Sequence, residues 1–568
     1  MTKLKRFIAV IIALVLTCPL FACGGDSLPK DKTILWVSNY NSGFGEKFAD
    51  KLKERFEAEY VNYYNPKNGK TGVHVEIKNS KNAFGSTVMN GASTDGFDVY
   101  LTSDVYYYNL ISSGIAMEIT DEVTKENTDG KTIESKMTKE QKDYFGYKNQ
   151  NTNKVEYYAI PHYSIFSGLI YNKTLFHNYS LYFAGDISNA YRAYKQQNKY
   201  VMTNADGVLS GGPDGKHGTL DDGLPETYDQ FIYMMDQMVK KSVVPFTWSA
   251  IHGYDYINFL LQGLYVDFEG VNNTNLNFTF NGTATNLVKL DPQGKAIITN
   301  GVPETESVAI TPANGYEMYR TAGRYYAYGM AEKIFSNSDY YSDTITVGES
   351  DHYAAQSEFL NTAKTDELPV AMLMDGSWWE NEASDYGTYR RLGIEKNTFD
   401  FGFMPLPKVN DSYVGTQDNP AKFTITENGT NVMFVNKYAK DEAVDIAKKF
   451  IKFANTDESL QEFTILTNTM KALNYTLDED QIKELSNFGK NFYNLVRSEN
   501  TDIIYQGGQT NIFTSSPESF IIGKSMNTET TVYSNFEENK LGAEDYFNKF
   551  ISINSKTAWD IKYGKYFN

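Results

Sequence analysis

Residues 34–56 open with Ile34-Leu35-Trp36-Val37, continue through Ser38 to Gly45, and carry Phe44, Phe48, Leu52 and Phe56. Four consecutive apolar residues predict a short strand buried on both faces. The Ser-, Asn- and Gly-containing stretch after it has turn chemistry. A spacing of four then predicts a helix with one buried face. Further along, Val73, Val75 and Ile77 alternate as a second strand. Phe97-Asp98-Val99-Tyr100-Leu101 reads as a third, followed by a segment ending near Gly114. Strand, helix, strand, strand, helix is the order of an α/β lobe with a mostly parallel sheet. Ligands of such sheets sit beyond the carboxyl ends of the strands, which makes Ser38–Asn41 and Thr102–Tyr106 the expected binding loops.

The most clearly patterned helix comes later, from Glu226 to Lys241. Thr227 and Gln230 form a capping box, and Tyr228, Phe231, Ile232, Met235, Met238 and Val239 draw one apolar face. Another runs from Asp441 to Ala454 on Ala443, Val444, Ala447, Phe450, Ile451 and Ala454. Between them, 272–315 is rich in Asn, Thr and Gly and reads as an elaborated insert or loop region. A chain of 568 residues exceeds one compact core, so two or three are expected.

The formal charge of −18 argues against nucleic acid, which needs a concentrated basic face. It also argues against electrostatic attachment to an anionic membrane. With 43 Tyr and 35 Phe, the chain has aromatic surface to spare for reading polyols. Cys18 and Cys23 are the only cysteines, which excludes a disulfide framework, a thiolate metal site in the body of the chain and a cysteine nucleophile there.

At the N-terminus, Lys3, Lys5 and Arg6 precede an apolar run from Phe7 to Leu16, the layout of a secretory signal peptide over 1–22. Leu20-Phe21-Ala22-Cys23 resembles the lipobox of bacterial lipoproteins, although Phe21 stands where a small or hydroxyl residue is usual. That resemblance implies lipidation at Cys23, attachment to the outer face of the cell membrane through lipid only, and a tether over 23–30 that begins Gly24-Gly25-Asp26-Ser27. Cleavage after Ala22 removes three positive and no negative charges, taking −18 to −21.

In order along the chain come the Trp36 strand with the Gly43–Tyr60 helix, Phe97-Asp98-Val99, and Ala116-Met117-Glu118-Ile119-Thr120. Tyr158-Ala159-Ile160-Pro161 and Gly168-Leu169-Ile170-Tyr171-Asn172-Lys173 follow. Then come Pro225-Glu226-Thr227-Tyr228-Asp229-Gln230-Phe231 and Ala371-Met372-Leu373-Met374-Asp375-Gly376-Ser377-Trp378. Phe403-Met404-Pro405-Leu406-Pro407 and Phe450-Ile451-Lys452-Phe453 complete the set. This series resembles bacterial extracellular solute-binding protein family 1, the carbohydrate receptors of ABC importers. The resemblance spans about two-thirds of the chain, and the ordered set is far more specific than any one piece.

It implies a periplasmic-binding-protein-like α/β fold of two lobes joined by a hinge that closes on ligand. The first lobe would hold 31–160 and 408–470, and the second 161–407 and 471–568, with inserts near 196–223 and 272–315. The strand before Tyr171 would cross to the second lobe, the Phe403–Pro407 segment would cross back, and a further crossing would come near Met470. The implied partners are a carbohydrate, an oligosaccharide in particular, and permease subunits with their ATPase in trans. The chain itself would act as a monomer, with no enzymatic activity and no required cofactor.

Trp378 and Trp379 leave an apolar strand at Gly376-Ser377, so at least one indole can face the cleft. An aromatic face stacks on the apolar C–H face of a sugar, and core packing is the competing reading. Trp248, after Pro245-Phe246-Thr247, stands between pocket wall and core, and Tyr163 is the expected second aromatic contact. Asn39, Tyr40 and Asp104 offer paired donors and acceptors to sugar hydroxyls, although turn chemistry alone also explains Asn and Asp there. Asp214, Asp221 and Asp222 in a Gly-rich turn form a candidate structural calcium site, without the alternating acidic loop that calcium usually takes. No zinc, nucleophile-elbow or phosphate-loop motif occurs. A secreted glycoside hydrolase remains as the enzymatic alternative, because its carboxylate pairs carry no fixed motif. Ferric ion held by tyrosines, Tyr106-Tyr107-Tyr108 among them, or a polyamine remains as an alternative cargo.

Overall fold

The structure, a computed structural model, describes residues 28–185, 200–251, 253–346, 350–361, 368–415, 422–506 and 532–564. The apolar leader and Cys23 lie outside these residues, as does the start of the insert near 196–223.

Three parallel strands build the first lobe: β1 (Thr33–Tyr40), β2 (Val73–Ser80) and β3 (Val99–Thr102), with β1 in the middle. Helix α1 (Lys47–Glu59) connects β1 to β2 and buries Phe48, Leu52 and Phe56, the face that the four-residue spacing drew. The chain then makes edge strand β4 (Ile160–Pro161), enters the hinge as β5 (Tyr163–Ser164), and crosses into the second lobe as β6 (Ser167–Asn172).

The second lobe adds α2 (Tyr228–Lys240), β7 (Val244–Thr247) and α3 (Gly253–Thr279), which is broken at Gly270 by a φ of 65°. It continues with α4 (His352–Leu360), β8 (Val370–Gly376), α5 (Trp379–Asp385) and β9 (Phe401–Phe403). At α2 the Thr227 hydroxyl accepts from Gln230 N at 3.3 Å, as the capping pattern predicts. The Gln230 side chain reaches past the cap, however, and accepts from Glu226 N at 2.8 Å.

The remaining strands are β10 (Phe423–Asn428), β11 (Val432–Val435), β12 (Met470–Lys471) and β13 (Thr501–Gln506). Helix α6 (Val444–Ala454) follows β11, and α7 (Asn487–Arg497) lies between β12 and β13. The first sheet has the order β2-β1-β3-β11-β4, and the second β7-β8-β6-β9. In each, one strand runs against the rest: β11 in the first and β6 in the second. The sheets are therefore mixed and mostly parallel, in a two-lobed α/β fold.

The return to the first lobe falls later than the Phe403–Pro407 segment. Phe401–Phe403 is the edge strand of the second sheet. Lys408 is pinned to the second lobe: its backbone bonds Glu226 and Tyr228, and its buried ammonium meets Asp267 Oδ2 at 2.7 Å. The chain re-enters the first sheet only at β11, so a boundary near 430 replaces 408. Two further strand pairs tie the crossings together, β5 with β12 and β10 with β13.

The 272–315 region is more regular than its composition suggests. Its first residues continue α3, and Gly282–Val288 then pairs antiparallel with Thr305–Ile310 through a bulge. Ala284, Leu287 and Ile310 from this hairpin share a small satellite core with Trp559 and Tyr563 of the last described helix, α8 (Lys556–Tyr563).

Candidate ligand-binding site between the lobes

The loops after β1 and β3 come together at the carboxyl ends of the first sheet, where the Asp104 carboxylate acts on the Tyr40 phenol. Tyr40 is half-buried, and its ring centroid lies 5.6 Å from that of Phe84, an exposed aromatic. Burial raises the Tyr40 phenol above its ordinary value. The Ser42 hydroxyl opposes this, and the Glu382 and Asp104 carboxylates add to it. Asp104 is exposed and sits in the left-handed region at φ 53°, the conformation Asp tolerates better than most residues.

Asn39 and Tyr163 are brought together, but inside the hinge and away from solvent. The Tyr163 hydroxyl lies 2.7 Å from Asn39 Oδ1 and 2.8 Å from the Tyr40 carbonyl, and Asn39 Nδ2 donates to Asn79 at 2.8 Å. The Tyr163 ring stacks on Phe44 at 4.0 Å and is fully buried. Tyr163 thus packs the joint and supports the Tyr40 loop from behind, where sequence placed it as a ligand contact.

From the second lobe, β8 is buried at every residue and ends at Gly376. The half-buried Trp378 folds its indole back over this glycine: a Cβ at 376 would lie 2.0 Å from indole Cζ3. The other side of Trp378 meets Gly43 of the first lobe, where a Cβ would lie 2.9 Å from its Cβ and Cδ1. Phe259 of α3 stands edge-on at 6.0 Å. Trp378 is therefore a point at which the two lobes touch, and glycines at 43 and 376 make room for it.

Trp379 and Trp248 do not join this site. At the junction of β8 and α5 consecutive side chains diverge, so Trp379 turns inward among Phe359, Phe401 and Phe488 at 5.0–5.5 Å, with no exposure. Trp248 is walled in by Phe335, Tyr341 and Tyr533. Both indoles are core: each is enclosed and packs on three aromatic rings, none of which belongs to the loops after β1 and β3.

Behind Trp378, the Gln356 side-chain amide bridges Asp375 Oδ2 at 3.1 Å and Glu382 Oε2 at 2.9 Å. Burial, then the Glu382 charge, raises the Asp375 carboxyl well above the usual carboxylate range. Asn381 Nδ2 crosses to the Gly43 carbonyl at 3.1 Å, which ties α5 to the Tyr40 loop.

A family model matches residues 45–316. It is that of the bacterial extracellular solute-binding proteins. Among solved structures, a chitin oligosaccharide binding protein aligns with a TM-score of 0.52 at 14% identity, covering 94% of this chain and 100% of that one. A structure from work on xylan utilization by the thermophilic bacterium Caldanaerobius polysaccharolyticus aligns with a TM-score of 0.54 at 13% identity, covering 91% and 99%. At such identities the likeness is one of fold. No curated protein matches the chain.

The strands that cross between the two lobes hold buried ionisable groups as well. Glu427, on β10, accepts from the Ser164 hydroxyl of β5 at 2.5 Å. Burial pushes its carboxyl up to about 7, against the Ser164 bond and the charge of Arg497, which lower it. The folded-state value lies above the ordinary 4.5, so its contribution to stability is fully present below about pH 4.5 and is lost as pH rises through 7. Glu427→Gln, which mimics the protonated form, is expected to match the parent near pH 4.5. By pH 8 it should exceed the parent by about 3 kcal/mol. Urea unfolding at both pH values checks this, and a pH-independent difference would contradict it.

The Asp-rich turn is self-satisfied. Asp221 accepts from Asp214 N at 2.9 Å, Asp214 from Lys216 N at 2.7 Å, and Asp222 from Gly218 N at 2.7 Å. Among the described residues, no three acidic, His or Cys side chains converge as a metal-holding group. The three carboxylates proposed for calcium thus serve the turn's own amides in this structure.

Sequence reading missed Phe84, Phe259, Gly43 and Glu382. Phe84 and Phe259 carry no distinguishing local pattern, whereas the Gly43-Phe44-Gly45 triplet directly after a predicted strand signals close backbone approach.

Proposed function

We propose that this chain is the substrate-binding component of an ABC importer, capturing a carbohydrate between its lobes and delivering it to a membrane permease. The observation that carries the reading is Trp378, an aromatic face held at the meeting of the lobes against the Tyr40 and Ser42 loop, which the Asp104 loop adjoins. An apolar ring with polar groups around it suits a ligand that has C–H faces and hydroxyl edges. The solved proteins of the same fold named for chitin oligosaccharide and xylan utilization support a sugar, and an oligosaccharide in particular.

A thermal-shift screen against a glycan panel tests the reading. One class of glycan should raise the melting temperature, because a ligand bound only to the folded state stabilises it. A panel without effect, alongside a shift with ferric ion or spermidine, would reassign the cargo.

The chain is further proposed to be held to the outer membrane face through lipid on Cys23. Among the described residues no helix is long and apolar enough to cross a membrane. Cys23→Ala should move the protein from the membrane fraction to the soluble fraction with its glycan affinity unchanged. Tight membrane retention of the variant would contradict the lipid anchor.

A further inference from the structure

On one rim of the cleft, side chains from the two lobes face each other outside the Trp378 contact. Lys81 projects from the turn after β2 of the first lobe and is exposed. Its ammonium donates to the hydroxyl of Tyr353, on α4 of the second lobe, and lies 4.8 Å from that ring's centroid. The Tyr353 ring stacks on Tyr386 at 3.7 Å and 13°, and the Arg391 guanidinium lies 4.9 Å from the Tyr386 centroid. His352 packs against Tyr353 at 3.9 Å. Tyr353, Tyr386, Arg391 and His352 all belong to the second lobe, so Lys81 is the one member of this stack that comes from the first.

A second contact reinforces the rim. Asp385, at the end of α5, rests on the backbone of Gly45 in the first lobe: a Cβ there would lie 1.9 Å from Asp385 Oδ2, and Gly45 has a φ of 70°. The cations that act on Asp385 are Lys47 and Lys81 from the first lobe and Lys396 from its own. Lysines of one lobe therefore face a carboxylate and a phenol of the other.

We propose that Lys81 is a positioning residue for ligand capture, a cationic latch on the Tyr353 phenol that holds the lobes closed without touching the ligand. The inference rests on the hinge-closure reading above, and it has a consequence that stacking on a neutral sugar does not: closure should respond to salt. Exposed contacts of this kind change an equilibrium by up to about fivefold and are screened over about 10 Å at 0.1 M salt. They therefore bias the balance between open and closed forms without deciding the fold.

The test needs no sugar, so its failure is separable from failure of the carbohydrate reading. Small-angle scattering is recorded for the ligand-free parent, Lys81→Met and Lys81→Arg at 20 mM and 500 mM NaCl, with a melt of each. The parent is expected to be compact at low salt and to expand at high salt. Lys81→Met should be expanded at both, Lys81→Arg should behave as the parent, and all three should melt alike. A Lys81→Met variant as compact as the parent at low salt would overturn the proposal, as would an undiminished salt response in that variant. Lys81→Arg matching Lys81→Met would overturn the charge-based latch as well.

Discussion

Trp378→Ala is expected to weaken glycan binding some thirtyfold to a thousandfold while leaving a cooperatively melting protein. A receptor with micromolar affinity gathers about 8 kcal/mol in all, and loss of one well-placed aromatic contact costs about 2–4 kcal/mol of it. The geometry says why the cost falls on binding. The indole is half-buried and lies over Gly376 and against Gly43, with Phe259 edge-on, so it belongs to the surface between the lobes and to neither core. Its removal takes away both a platform for the ligand and a contact that accompanies closure. Calorimetric titration beside a melt separates the outcomes. An unchanged affinity together with a large loss of stability would place Trp378 in the core and remove the platform.

Trp379→Ala should behave in the opposite way. This indole is fully enclosed by Phe359, Phe401 and Phe488, so truncation leaves a large cavity in the second lobe. Losses of about 3–5 kcal/mol accompany such aromatic-to-Ala changes. The affinity of the molecules that remain folded should stay close to that of the parent. Trp379→Phe sharpens the test, because Trp379 Nε1 is buried with no hydrogen-bond partner. Phe keeps much of the packing and removes that unsatisfied donor, so it should cost well under half as much as Ala. Urea unfolding measures all three proteins. A loss below about 1 kcal/mol for Trp379→Ala would contradict the core assignment.

This contrast between neighbours marks the limit of what the sequence discloses. The Val370–Gly376 run shows a buried strand, and the tryptophan pair after it shows that an indole is available at the strand's end. Which of the two faces the cleft depends on how the backbone turns into α5, and no periodicity spans that junction. Tyr163 is a similar case. Its position after Ile160-Pro161 puts it at the crossing, but only the stacking on Phe44 and the hydroxyl shared with Asn39 turn it into a hinge strut. The α/β lobes themselves were legible because apolar alternation and the four-residue helix face report burial directly. The late return near 430 was hidden because the Phe403–Pro407 segment reads as a crossing, whereas Phe401–Phe403 is an edge strand of the second sheet and Lys408 is buried on Asp267. The Asn- and Thr-rich 272–315 region looked irregular because its strands bury few side chains, and those few reach across the chain to Trp559.

In the proposed mode of capture, ligand is held between two lobes that close on it. The most direct measurement is small-angle scattering of the parent protein at 500 mM NaCl, where the Lys81 contacts are screened and the free lobes are open, titrated with the glycan that raises its melting temperature. The radius of gyration is expected to fall and to saturate with the calorimetric binding curve, ending at a profile that fits the lobe contact of Trp378 on Gly43. Saturating glycan binding with no change in the scattering profile, or with an expansion, would contradict it.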